Sequence, residues 1–175
     1  MVYAAQGPVD VRQQIHGYLA ESPFISMHPS TPPYRLTVMM GKLASKVMPN
    51  RQLVKKLDPK LLSRDPVVQR QFIDDELCHD TGTLESLAGM LERAAGLEKG
   101  AYVIPNSVGS GDAVMKMRLW ISHGTHDGVC DFDGTREWFE QVDVEDKTFK
   151  IYDGWYHKCM FEKIREKMGD SLIIV

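Results

Sequence analysis

Long hydrophobic runs are missing from this 175-residue chain. No stretch approaches the roughly 18 apolar residues that cross a bilayer. The N-terminus, MVYAAQGPVDVRQQ, lacks a basic-then-apolar layout and does not read as a signal peptide. Cysteine is scarce: Cys78, Cys130 and Cys159 are too few and too irregularly spaced for a disulfide framework or a zinc site, and read as reduced thiols of an intracellular protein. An excess of one charge is also missing. The 21 Lys and Arg against 24 Asp and Glu give a net charge of −3, and the basic residues are scattered. A nucleic-acid surface needs a basic stripe, so that class of partner is excluded. Internal repeats and low-complexity tracts are absent. What remains is 43% hydrophobic, enough for one ordinary domain with a core, soluble or at most peripheral to a membrane.

Periodicity gives alternating elements. Residues 14–20 (QIHGYLA) suit a short strand, followed by a Pro-rich loop at 28–33 (HPSTPP). Over 34–48, Leu36, Met39, Met40, Leu43 and Val47 form a helical stripe that Pro49-Asn50 stops. Asp58-Pro59 and Asp65-Pro66 each place an acidic N-cap before a first-turn proline, the second opening a helix over 66–77. Thr83 caps another, whose Leu84, Leu87, Leu91, Ala94 and Ala95 share a face and which ends near Gly96 to Gly100. The middle thus reads as three helices without a strand, inserted between strands of a sheet. Residues 106–112 (NSVGSGD) read as a loop. A buried strand over 117–122, a turn at 123–128, a helix over 133–142, a strand over 147–152 and a turn at 153–157 complete a βαβ rhythm, which implies parallel strands.

The chemistry is expected at the loops ending the last two strands, because open α/β sheets gather reactive groups at their carboxyl ends. Asp127 follows one strand and His157 the next, 30 residues on. Acid before histidine, both on strand-end loops, is the order of a hydrolase triad after its serine. A carboxylate is needed there to hold the imidazole in one tautomer and to stabilise the imidazolium. Spacing alone says little, since many α/β proteins place an Asp and a His so. A metal at His123, His126 and Asp127 is disfavoured, because one short turn supplies every ligand. Cys130 reads as a small buried hydrophobe. Ser110, between Gly109 and Gly111, reads as a loop residue: no buried strand precedes it and no helix follows to present its hydroxyl. No metal or cofactor is implied.

Residues 119–129 (LWISHGTHDGV) resemble the acid loop of monoacylglycerol lipase-like α/β-hydrolases of the serine aminopeptidase S33 type, in which a His-Gly-Thr-x-Asp turn carries the triad acid. Residues 144–158 (VEDKTFKIYDGWYHK) are similar to the segment with the triad histidine. HPSTPP, GKLASKVMPN, LDPKLLSRDPVV and CHDTGTLESL look like the cap of fungal members. The likeness runs in family order from about Ile15 to about Met160. It implies a partial α/β-hydrolase fold, the later parallel strands plus a helical cap over 28–100, with 117–160 carrying the acid and histidine loops. Asp127 would be the acid and His157 the general base. The substrate class would be a lipid ester, with the stripe Leu36, Met39, Met40, Leu43 and Val47 facing lipid or, alternatively, packed as core. The missing signals point to a cytoplasmic location, and the likeness adds a lipid droplet or membrane surface as its place there.

The departures are equally plain. The family's nucleophile lies in a Gly-x-Ser-x-Gly elbow upstream of the matched region, and that pentapeptide does not occur in these 175 residues. Half of the oxyanion hole is the N–H after that serine and the rest lies on an earlier loop, so both are absent as well. The ending, CMFEKIREKMGDSLIIV, does not resemble the family's final helix. The expected state is a truncated domain over 1–175, inactive by itself, with an open sheet edge beside 14–20 prone to self-association. A non-catalytic lipid- or partner-binding remnant is the alternative, and an enzyme with a different nucleophile a third reading.

Overall fold

The computed structural model describes residues 1–29, 35–109 and 114–158, with the backbone alone over 35–40. The Pro-rich stretch beyond Pro29, Ser110 and the C-terminal ending lie outside the described residues. The elements run α1 (Val2–Gln6), α2 (Val9–Arg12), β1 (Gly17–Glu21), α3 (Arg35–Val47), β2 (Gln52–Val54), a 3-10 turn (Pro59–Leu61), α4 (Pro66–Asp74), β3 (Thr81–Thr83), α5 (Leu84–Glu98), β4 (Ser107–Val108), β5 (Met115–Lys116), β6 (Arg118–Gly124), α6 (Phe132–Gln141) and β7 (Asp146–Tyr152).

The capping residues sit where their chemistry places them. Asp65 accepts from the Val67 N–H at 2.8 Å with Pro66 in the first turn, and Thr83 accepts from the Ser86 N–H at 3.1 Å. Asp58 caps in the same way, but Pro59 opens only a 3-10 turn. Helix α4 stops at Asp74, short of the expected Leu77, because the Asp75 carboxylate accepts from the Leu77 N–H at 2.9 Å and turns the chain. The middle is not strand-free: β2 and β3 form an antiparallel pair, Gln52 opposite Thr83, too short for alternation to show. From within the loop expected at 106–112, β4 pairs with β5 just beyond it. Helices α3 and α5 pack together.

The main sheet has the order β1-β6-β7, all parallel. β6 is central and almost wholly buried, whereas β1 pairs with β6 on one side and has no strand on the other among the described residues. Strand β1 begins at Gly17, later than expected, because Gln14 and Ile15 close turns onto Val11 and Arg12. It ends at Glu21, and the buried Ser22 that follows takes a positive φ of 42° while its N–H donates to the Ser122 carbonyl. Met117, Leu119, Ile121, Trp138, Phe139 and Val144 form the core between the sheet and α6, with Phe139 and Phe149 rings 5.1 Å apart.

Lys147 closes the far end of α6. Its ammonium donates to the carbonyls of Phe139 (2.8 Å), Glu140 (3.1 Å) and Val142 (2.6 Å) and lies over the Phe139 ring. A cation there meets carbonyls at the negative end of the helix dipole. Lys147→Met keeps the stem and removes the donors, and is expected to cost about 1–2 kcal/mol. In thermal denaturation this is a fall of a few degrees in Tm.

Candidate active site

Register builds this site. Strands β6 and β7 run in step from Arg118 opposite Asp146 to Gly124 opposite Tyr152, so they end level. The acid loop leaves after Gly124 and the histidine loop after Tyr152. Backbone bonds stitch the loops together: Thr125 N–H donates to Tyr152 O at 3.0 Å and His126 N–H to Trp155 O at 2.9 Å. The Thr125 hydroxyl donates to Asp153 Oδ1 at 3.0 Å and accepts from the Gly154 N–H at 2.8 Å. Gly124 makes the approach possible. A Cβ there would stand 2.2 Å from the Trp155 carbonyl oxygen.

This brings the two predicted residues together. His157 Nδ1–H donates to Asp127 Oδ2 at 2.9 Å, with Asp127 buried and His157 about a quarter exposed. The same oxygen accepts from His123 Nε2–H at 2.9 Å, and both of those side chains are fully buried. Asp127 Oδ1 accepts from the N–H groups of Val129 (2.8 Å) and Cys130 (2.9 Å). Burial alone would push the Asp127 carboxyl up. The hydrogen bonds from His123 and His157, the charge interaction with His157 and the Cys130 N–H outweigh it and hold the carboxyl below the usual carboxylate range. With Nδ1 committed, Nε2 is the basic nitrogen of His157.

Other segments wrap the acid loop. Met27 bridges Cys130, and Asp131 N–H donates to Ser26 O at 3.1 Å. Lys158 N–H donates to Leu62 O at 2.9 Å, which ties the histidine loop to the stretch before α4. Cys130 is buried, and burial followed by the Asp127 charge pushes its thiol up, so it stays protonated. Asp127, Cys130 and His157 bring donor atoms within 4.8 Å of one another. Four N–H donors already fill both Asp127 oxygens and the thiol is held neutral, so this set fits a hydrogen-bond network better than a metal. His126 is exposed and tilted against Tyr156, away from the carboxylate.

Of the apolar stripe, Leu43 and Val47 are exposed at 59% and 76%, and so are not core. Leu36, Met39 and Met40 lie on α3, with side chains outside the described residues. Sequence reasoning missed the roles of His123 and Thr125. The available signal was a histidine at the end of a buried strand, which needs a polar partner.

A parallel sheet with helices across it, and an acid and a histidine on level strand ends, define an α/β-hydrolase fold present in part. The family model described as Serine aminopeptidase, S33 matches residues 2–164, and the chain belongs to that family. It is 31% identical to a "Putative monoglyceride lipase" of Schizosaccharomyces pombe over 152 residues, 87% of this chain and 37% of that protein. It is 25% identical to the monoglyceride lipase of Saccharomyces cerevisiae over 158 residues, 89% of this chain and 48% of that one. The chain therefore spans less than half the length of these relatives. Among solved structures, a soluble variant of the S. cerevisiae monoglyceride lipase in complex with a substrate analog superposes with a TM-score of 0.74 at 22% identity, covering 95% of this chain and 55% of the other. The Paleococcus ferrophilus monoacylglycerol lipase gives 0.69 at 29% identity, covering 94% and 61%. Among the described residues no helix is long and apolar enough to cross a membrane.

Proposed function

We propose that this sequence carries the acid and general base of a serine hydrolase acting on carboxylic esters of lipids, of the monoacylglycerol kind. The observation that supports it most is the 2.9 Å bond from His157 Nδ1 to Asp127 Oδ2 at neighbouring strand ends. In such chemistry His157 Nε2 takes the proton of a serine hydroxyl as that oxygen attacks the ester carbonyl. It then returns the proton to the leaving alcohol, and Asp127 steadies the imidazolium between the two steps. The serine and one oxyanion donor belong to an elbow, and the other donor to a still earlier loop, that these 175 residues do not contain, so the chain alone is inactive.

In this reading residues 28–100 form the cap, and Leu43 and Val47, exposed on α3, present the lipid-facing side of the stripe with Leu36, Met39 and Met40. The side of β1 that has no strand partner among the described residues is where a further strand would pair, and without one it is an edge for self-association.

The purified chain is expected to give no turnover of short-chain p-nitrophenyl esters. Turnover abolished by His157→Ala would reveal a nucleophile within it and overturn the inactive reading. Joining upstream of residue 2 a segment bearing the Gly-x-Ser-x-Gly elbow, taken from a full-length monoglyceride lipase of the family, is expected to produce hydrolysis of monoacylglycerol. A well-folded joined protein without activity would favour a non-catalytic binding remnant.

A further inference from the structure

Asp127 is held by two imidazoles, and a triad needs only one. We infer that His123 is a positioning residue for the acid: as the neutral Nε2–H tautomer it donates to Asp127 Oδ2, so that one carboxylate oxygen serves two histidines. The inference rests on reading Asp127 as the triad acid.

Donor counting supports the tautomer. A carboxylate has about four acceptor sites, and here four N–H groups fill them, two on each oxygen. The atom facing Asp127 at 2.9 Å is Nε2 of His123, and an ionised carboxylate can only accept, so that nitrogen carries the proton. Nδ1 of His123 is buried and has no hydrogen-bond partner among the described residues. A proton there would be a buried unsatisfied donor, which disfavours both the Nδ1–H tautomer and the imidazolium. The side chain is fully buried and its ring meets Phe132 edge-on at 5.8 Å, which holds the ring in place beside Asp127. Among the described residues, the titratable groups facing Asp127 are His123, His157 and Cys130.

The physical consequence is twofold. His123 and the Val129 and Cys130 amides fix the carboxylate plane, so that Oδ2 faces His157 Nδ1 without further adjustment. His123 also offsets the burial of the charge without adding a second positive charge beside His157, which would oppose imidazolium formation there.

The test is the imidazole nitrogen and carboxyl carbon spectrum of the labelled 175-residue chain. In the unmodified protein His123 is expected as Nε2–H near neutral pH. Finding it as Nδ1–H, or as imidazolium, overturns the inference without any variant being made. His123→Phe removes a donor to the charged form, so the Asp127 carboxyl midpoint is expected to rise by about one pH unit or more. His123→Gln retains a donor and is expected to keep the midpoint near that of the unmodified chain. A folded His123→Phe chain with an unmoved Asp127 midpoint reduces His123 to core packing and overturns the inference. Ester hydrolysis does not enter these readouts, so the catalytic reading and this one fail separately.

Discussion

In the joined protein that supplies a serine elbow, Asp127→Asn is expected to lower kcat for monoacylglycerol by about 10⁴-fold, and His157→Ala by about 10⁴- to 10⁶-fold. The asymmetry has a structural reason. Asn at 127 keeps the shape and one acceptor oxygen, but its amide nitrogen donates where Asp127 now only accepts. Two of the four N–H groups converging on that carboxylate lose their acceptor, and His157 can turn to the other tautomer, with Nε2 protonated and useless as a base. His157→Ala removes the base itself. KM is expected to change little, because neither group needs to touch the acyl chain. A large rise in KM alongside the fall in kcat would point to a distorted binding site and not to a lost proton relay alone.

Gly124→Ala is the second large effect, and it tests the stitching of the two loops. The added methyl would stand 2.2 Å from the Trp155 carbonyl oxygen and 2.8 Å from that of Tyr156, and both are backbone atoms of the histidine loop. Neither can swing aside as a side chain would, so the loop must move. Overpacking of this kind costs about 1–3 kcal/mol. A displacement of about 1 Å at a catalytic group is worth about 10² in rate. The expected outcome is a Tm several degrees lower, together with a roughly hundredfold loss of kcat in the joined protein. A variant with unchanged Tm and rate would mean that the loops do not meet at Gly124.

That Asp127 and His157 meet was legible less from their strand-end placement, which many α/β proteins share, than from the resemblance of residues 119–129 and 144–158 to the family's acid and histidine segments; their catalytic roles stay a proposal. Parallel register then did what no spacing argument could: Gly124 opposite Tyr152 converts a separation of 30 residues into a hydrogen bond. The caps at Asp65 and Thr83 were legible for a local reason, since cap and amide lie within three residues of each other. Three-residue strands such as β2 and β3 were not, because alternation needs more residues than they have. Helices α1 and α2, at five and four residues, are too short to show a 3.6-residue period. His123 stands out in the sequence only as a metal ligand, and its bond to Asp127 was missed because the partner lies four residues ahead across a turn, a contact that no periodicity reports. The bridge from Met27 to Cys130 joins residues about a hundred positions apart and leaves no trace in either segment alone.

The tautomeric state of His157 in the isolated 175-residue protein bears most directly on all of this. In the neutral imidazole, nitrogen-resolved NMR should find Nδ1 protonated, Nε2 bare, and a downfield Nδ1 proton that vanishes in Asp127→Asn. An imidazole divided between both tautomers like a free side chain, and indifferent to Asp127→Asn, would contradict the account.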